Sequence, residues 1–218
     1  RCGDAAVRIE VLAPDLMRVR LAPDGRFDHG FSYAAARSDW PAVEVVFEAG
    51  EDALDLRAAA LTCRIQRAPC RISFHDPSGR PLAADAEGLG WGEPVDGDRP
   101  VLCRQRLLPG SHFYGLGEKA FPMERRGRRF ELYNTDPACY QLYDDPINQS
   151  VPFFLGLVPV ESTGSGGRSG GATGAYGVLF DNPARSFFDF GHSDGAVLSF
   201  EAEAGELRYY FMAAPKLL

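Results

Sequence analysis

Short runs of alternating apolar and polar residues recur along this chain, and they restrict it to a fold built from β-strands. Residues 7–11 read Val-Arg-Ile-Glu-Val, and residues 17–21 read Met-Arg-Val-Arg-Leu. A period of two residues places alternate side chains on opposite faces of an extended strand. Ala-Pro-Asp at positions 13–15 separates the two runs and is typical of a turn. The opening of the chain therefore predicts two strands joined by a turn.

Similar short runs continue to the end of the chain, and no stretch shows the periodicity of a helix. A glycine- and aspartate-rich loop is expected near residues 85–100, and a flexible glycine/serine-rich loop at residues 161–175. A dozen or so short strands with closely spaced turns predict an all-β, antiparallel β-sandwich that forms a single domain over residues 1–218. The further predicted strands are 43–48, 53–58, 61–67, 70–75, 101–108, 128–133, 151–158, 176–180, 186–190, 196–202 and 206–212.

The charge of the chain argues against nucleic acid and anionic membranes as partners. The net charge is −7 and the isoelectric point is near 5.1, so no broad positive field surrounds the protein. The basic run at residues 125–129 is interpreted as a solvated turn between strands. No apolar run is long enough to span a membrane, and residues 1–20 lack the apolar core of a signal peptide. We therefore expect a cytoplasmic protein.

The cysteines and histidines do not form a recognisable metal or disulfide pattern. An odd number of cysteines without a C-x-x-C pair argues against a disulfide framework and a zinc ribbon. Cys63 and Cys70 offer one pairing across a hairpin, but buried free thiols in a reducing compartment are the preferred interpretation. The four histidines lack metal-ligand spacing, so no metal and no cofactor are expected. The residues concerned are Cys2, Cys63, Cys70, Cys103, Cys139, His29, His75, His112 and His192.

The segment from 131 to 157 combines carboxylates and amides with aromatic rings. Tyr133, Asn134, Asp136, Tyr140 and Tyr143 lie within thirteen residues of Glu131. Asn-Thr-Asp-Pro and Asp-Asp-Pro form turns readily, because their side chains bond their own backbone. The same mixture suits sugar binding, in which carboxylates and amides bond adjacent hydroxyls while rings cover the apolar face. Composition leaves both interpretations open.

Three segments taken together resemble the amino-terminal domain of glycoside hydrolase family 31, the α-glucosidase and α-xylosidase family. They are FYGLGEKAFPMERRGRRFELYNTD at 113–136, DDPINQSVPFFLGL at 144–157, and YGVLFDNPARSFFDFG at 176–191. Their order and spacing over about 80 residues carry the resemblance, which extends more loosely to the beginning and the end of the chain.

The resemblance implies a β-sandwich similar to galactose mutarotase that packs on a catalytic (β/α)₈ barrel of the same parent chain. In that family the barrel carries an aspartate nucleophile and an aspartate acid/base, which act by the retaining mechanism. Since this chain stops at Leu218, we expect the barrel and both catalytic residues to be absent from it. The chain alone is then expected to be inactive, with an α-linked sugar as the substrate of the parent. Exposed docking surface is expected to favour self-association.

By the same resemblance, Asp136 ends the family's Asn-Thr-Asp motif and contacts sugar hydroxyls from a loop that lines the substrate pocket. Tyr133, Asn134, Thr135 and Asp145 are expected to shape that loop. Two interpretations remain for Glu118 and Lys119 in the Gly-Leu-Gly-Glu-Lys motif, namely support of the loop and simple pairing at the surface.

Two other functions remain as alternatives. A freestanding sugar epimerase of mutarotase type needs a histidine acid and a glutamate base in a concave sheet, and the sequence ties none of His75, His112 and His192 to a glutamate. A carbohydrate-binding module would bind sugar in isolation.

Overall fold

The computed structural model describes residues 4–28, 31–37, 39–159 and 173–214, which form strands and loops without any helix. In this part of the chain, therefore, no helix is long and apolar enough to cross a membrane. The strands are β1 (Ala6–Ala13), β2 (Leu16–Ala22), β3 (Val46–Ala49), β4 (Ala53–Arg57), β5 (Thr62–Gln66), β6 (Arg71–His75), β7 (Pro81–Trp91), β8 (Val101–Arg106), β9 (His112–Gly115), β10 (Arg129–Leu132), β11 (Phe153–Pro159), β12 (Thr173–Phe180), β13 (Ser186–Phe190), β14 (Val197–Ala202) and β15 (Leu207–Ala214).

These strands form two antiparallel sheets. The six-stranded sheet has the order β1-β2-β15-β12-β11-β9, and the nine-stranded sheet has the order β10-β13-β14-β8-β7-β6-β5-β4-β3. Strands β12 and β15 of the first sheet contact β7 and β8 of the second, so the two sheets pack face to face. The prediction of an all-β antiparallel sandwich is confirmed.

Alternate residues of the strands are buried in the core, as the alternating pattern of the sequence predicts. In β8, Val101, Cys103 and Gln105 are buried while the residues between them are more exposed. Strand β14 alternates in the same way and lies in register with β8, so that Phe200 is opposite Cys103. A period of two is therefore retained in both strands, because each sheet buries one face against the other.

Aromatic rings fill the space between the sheets. Phe154 of β11 is fully buried, and its ring meets Phe113, Phe190 and Phe188 at centroid distances of 6.1, 5.3 and 6.2 Å. The ring of Phe188 also stacks on that of Phe200 at 6.1 Å. These contacts join both sheets into one continuous core, in which edge-to-face and stacked pairs add to the burial of apolar area.

The loop predicted near residues 85–100 is wrong in its first half, because β7 continues to Trp91. The register of β7 against β8 shifts between Asp85 and Gly88, where the strand bulges. Gly88 has φ of +103°, and a Cβ atom there would lie 2.5 Å from the carbonyl oxygen of Cys70. The bulge therefore requires glycine at position 88, although this glycine suggested a loop in the sequence.

Strands β9 and β12 also differ from the prediction. Strand β9, within the Phe-Tyr-Gly-Leu-Gly-Glu-Lys motif, was not predicted. Strand β12 begins at Thr173, so the last three residues of the predicted glycine/serine-rich loop belong to a strand. Residues 160–172 of that loop lie outside the described residues.

No disulfide joins the described cysteines to one another. Cys63 and Cys103 are buried, Cys70 is half-buried and Cys139 is exposed, while Cys2 and His29 lie outside the described residues. Cys63 faces Phe74 across the β5–β6 pair, so it does not face Cys70 in the hairpin.

Asp85 is a buried carboxyl group in β7, and we expect it to make stability depend on pH. Burial raises its pKa to about 7, although the Ile72 N–H at 2.8 Å, the Cys103 thiol and the Arg71 charge oppose the shift. In the unfolded chain its pKa is about 3.9. The contribution of Asp85 to stability is therefore largest below about pH 4 and is lost as the pH rises through about 7, by about 4 kcal/mol in total.

The Asp85→Asn variant should lose this dependence, because its amide stays neutral while its oxygen still accepts from Ile72. Urea unfolding near pH 5 and near pH 8 measures the effect. Equal pH dependence in the variant and the original protein would contradict the assignment to Asp85.

Candidate functional site

Residues 133–152 connect β10 to β11, and residues 133–149 of this connection are called the 133–149 loop. The loop contains no helix or strand. Side-chain contacts and single backbone bonds, such as that from the Tyr143 N–H to the Ala120 carbonyl oxygen at 2.7 Å, therefore hold it in place of sheet pairing.

A buried ion pair anchors the end of this loop to β10. The Lys119 ammonium is fully buried and forms an ion pair with Asp145. It also donates to the Glu131 carbonyl oxygen at 2.6 Å, while the other oxygen of Asp145 accepts from the Glu131 N–H at 2.5 Å. Lys119 thus supports the loop from inside the protein and is not a surface pair, whereas Glu118 is exposed.

A second bond links the two sides of the loop. The Thr135 hydroxyl donates to the Pro146 carbonyl oxygen at 3.0 Å. Further along, the Gln141 N–H donates to the Asp144 carboxylate at 2.7 Å, as expected for a turn former. Thr135 therefore bonds the other end of the loop and Asp145 bonds β10, while their role in shaping the loop stays a prediction.

The basic run at residues 125–129 contains a turn between strands, as predicted, but it is not fully solvated. Arg125 is buried and donates to the carbonyl oxygens of Gly115 and Pro122, both at 2.9 Å. Arg126 donates to the Ser111 carbonyl oxygen at 2.8 Å. Burial lowers the pKa of Arg125 from its ordinary value. These guanidinium groups satisfy backbone oxygens around the segment that carries Lys119.

Asp136 is exposed and lies near the beginning of the loop. Within the described ranges, it makes no hydrogen bond or ion pair. Tyr140 and Tyr143 are also about half exposed, and the Tyr143 ring packs edge-on against Phe121 at 5.3 Å. The loop therefore presents a carboxylate without a partner and two partly exposed aromatic rings. Its contact with a sugar stays a prediction.

A cavity of about 760 Å³ lies beside the loop. It is enclosed by the segment 31–34, by the first residues of the loop and by the turn after β12. Tyr133 and Asn134 line it and Asp136 does not, so the structure separates Asp136 from two of its sequence neighbours. The lining residues are Asp28, Phe31, Tyr33, Ala34, Leu132, Tyr133, Asn134, Ser150, Pro152, Asp181, Asn182, Pro183, Ala184, Arg185, Ser186 and Arg208.

Two buried arginines lie at one side of this cavity. Arg20 of β2 and Arg208 of β15 are opposite each other in register. Like charges in that position repel, and burial increases the cost. Glu206 accepts two bonds from Arg20 at 2.8 Å each, and Asp181 pairs with Arg208 at 2.9 Å. Asp28 bridges the two guanidinium groups at 2.8 and 3.3 Å.

Sequence reasoning missed this group of charges. The alternation in β2 assigns Arg20 to the polar face, yet only 4% of its side chain is exposed. Its carboxylate partner Glu206 is 186 positions away along the chain. No local pattern indicates such a pairing.

One histidine contacts a glutamate in the structure, which the sequence did not indicate. His112 Nδ1 lies 2.6 Å from a carboxylate oxygen of Glu124, so a histidine and a glutamate are in direct contact. The other oxygen of Glu124 accepts from the N–H groups of Phe113 and Arg126, both at 3.0 Å. Neither residue lines the cavity. Because the two groups touch each other, no sugar fits between them as acid and base on opposite sides.

Across the described ranges, no three histidine, cysteine, aspartate or glutamate side chains are grouped so as to hold a metal ion.

A model of a known family matches residues 6–189. Its description is the glycosyl hydrolase 31 N-terminal galactose mutarotase-like domain. The match covers β1 to β13 almost completely and includes the 133–149 loop.

Individual relatives agree with this match. Alpha-glucosidase 2 of Bacillus thermoamyloliquefaciens is 30% identical over 215 residues, which are 98% of this chain and 25% of that protein. An alpha-glucosidase of Saccharolobus solfataricus is 28% identical over 54% of this chain and 15% of that protein. This chain thus spans about a quarter or less of these relatives.

Among solved structures, a dextranase of Flavobacterium johnsoniae complexed with isomaltotriose superimposes with a TM-score of 0.81 and 24% identity. The superposition covers 98% of this chain and 24% of the dextranase. It supports the assignment of the fold.

The buried ion pair predicts a large loss of stability when its cation is removed. In the Lys119→Met variant the carboxylate of Asp145 remains without its partner, and the expected cost is about 3–5 kcal/mol. Arg104→Met is the matched control, because Arg104 forms an exposed pair with Glu87 and its removal should cost about 1 kcal/mol or less. Urea unfolding of the three proteins measures the difference, and equal losses in both variants would be inconsistent with anchoring by Lys119.

Proposed function

The chain belongs to the glycosyl hydrolase 31 N-terminal galactose mutarotase-like domain family, and on this premise we propose that it is the amino-terminal domain of a longer glycoside hydrolase that acts on α-linked sugars. Similarity to an α-glucosidase over 98% of the chain, but only 25% of that protein, supports the proposal. The catalytic carboxylates then lie in the remainder of the parent, whose (β/α)₈ barrel is the partner of this domain. A cytoplasmic location belongs to the same proposal, and the buried free thiols of Cys63 and Cys103 are consistent with it.

The domain's own contribution is a carboxylate that binds and orients the sugar. The observation that carries this role is the contrast within the 133–149 loop: its end is held by the buried Lys119–Asp145 pair, while Asp136 near its beginning is exposed and free of partners among the described residues. A rigid attachment lowers the entropy that is lost when the carboxylate engages a ligand.

The chemistry follows from the properties of a carboxylate. An ionised Asp136 accepts hydrogen bonds from two adjacent sugar hydroxyl groups, and such charge-assisted bonds are stronger than neutral ones. Binding that fixes the orientation of the sugar at the catalytic groups raises kcat/KM without any proton transfer by Asp136. Asp136 is thus a substrate-binding residue.

In the full-length enzyme, Asp136→Ala should lower kcat/KM on an α-glucoside by more than tenfold, because loss of a hydrogen bond to a charged group costs about 1.5–3 kcal/mol. Asp52→Ala is the matched control, since this exposed aspartate lies between β3 and β4, at the opposite edge of the sheet from β10. A change within about twofold for Asp136→Ala would rule out the sugar contact.

The 218-residue chain alone should not hydrolyse p-nitrophenyl α-glucoside, because the proposal assigns both catalytic carboxylates to the barrel. Release of p-nitrophenol above the buffer rate by the purified chain, at a rate proportional to its concentration, would contradict this assignment.

A further inference from the structure

Three aromatic rings line the cavity beside the 133–149 loop and remain open to solvent. Phe31 is 69% exposed, Tyr33 is 85% exposed and Tyr133 is 54% exposed. The rings of Phe31 and Tyr33 meet at a centroid distance of 4.9 Å and an angle of 88°, so they form two perpendicular walls. Exposed aromatic groups that cluster at one concave site indicate a binding surface.

The charged groups of the cavity are already paired within the domain. Asp181 accepts from the Ser32 hydroxyl at 2.8 Å and pairs with Arg208 at 2.9 Å. Asp28 bonds Arg208 and a second arginine, and Arg185 pairs with Glu131 at 2.6 Å. A charged ligand would therefore have to displace an existing ion pair, so the cavity favours a neutral ligand.

Two neutral polar groups of the cavity remain available. The hydroxyl of Ser150 is buried and has no hydrogen-bond partner among the described residues. Within the same ranges, the side-chain amide of Asn134 makes no hydrogen bond, and it can both donate and accept. A buried hydroxyl without a partner is unfavourable, so a ligand that supplies one gains affinity.

We propose that this cavity is a second carbohydrate-binding site, which holds a neutral glycosyl unit of an α-glucan. The rings of Phe31, Tyr33 and Tyr133 stack on the apolar faces of the pyranose, while Asn134 and Ser150 bond its hydroxyl groups. The volume of about 760 Å³ lies within the range of small-ligand sites, roughly 300–1,000 Å³. The site is distinct from the proposed contact of Asp136, because Asp136 does not line the cavity.

Such a site would hold a polymeric substrate on the domain away from the reacting bond. A second attachment raises the effective concentration of the chain at the first site. The class of ligand is therefore an α-linked oligosaccharide and not a free anion or a cation.

The experiment titrates the 218-residue chain with maltotriose and, separately, with isomaltotriose, and follows binding by calorimetry and by saturation-transfer NMR. We expect millimolar affinity for at least one of them. The Phe31→Ala/Tyr33→Ala double variant should weaken binding at least tenfold, and it should fold because both side chains are mostly exposed. Phe47→Ala, which removes an exposed ring on β3, is the matched control and should bind as the original chain does.

Two further measurements identify the site. Asp52→Ala, which changes the exposed aspartate between β3 and β4, should leave binding by the isolated chain unchanged, and inorganic phosphate should not compete. Absence of binding by both sugars, unchanged affinity in the double variant, loss of binding in Asp52→Ala, or competition by phosphate would each overturn the proposal. Since kcat/KM of Asp136→Ala tests the other proposal separately, the two can fail independently.

Discussion

A fully buried ammonium group requires a carboxylate beside it, and in this protein that requirement determines the position of the 133–149 loop. Lys119 follows β9 in sequence, whereas Asp145 lies 26 positions further along, near the end of the loop. Their ion pair, together with two bonds to the backbone of Glu131, attaches the loop to β10. The exposed residues between these anchors, Asp136 among them, can then face a partner or ligand from a defined position.

The aromatic core provides the rigid surface from which this loop extends. Rings of both sheets meet around Phe154 in one closely packed core. The side chains of Arg125 and Arg126 donate hydrogen bonds to carbonyl oxygens of the 108–122 segment. The basic run at residues 125–129 therefore stabilises the fold through bonds to backbone oxygens.

The cavity and the loop present different chemistry although they are adjacent. In the cavity, carboxylates and guanidinium groups neutralise each other, and neutral polar groups and rings remain for a ligand. On the loop, one carboxylate is free. The proposed functions differ accordingly: the loop binds a sugar through a charge, whereas the cavity binds one through stacking and neutral hydrogen bonds.

The sequence by itself determined the fold class, because the period of two is a local property that a strand retains when one face is buried. The ordered motifs between residues 113 and 191 were sufficient to indicate the family, and with it Asp136 as the candidate contact. The tertiary structure alone decided which charges are buried, since Lys119, Arg20 and Arg208 find their carboxylates on distant segments. It also decided that β7 continues through Gly88, because the bulge is defined by close approach to the Cys70 carbonyl. The tertiary structure also forms the cavity, because it brings together three segments that are distant in sequence. These segments are residues 31–34, 133–134 and 181–186.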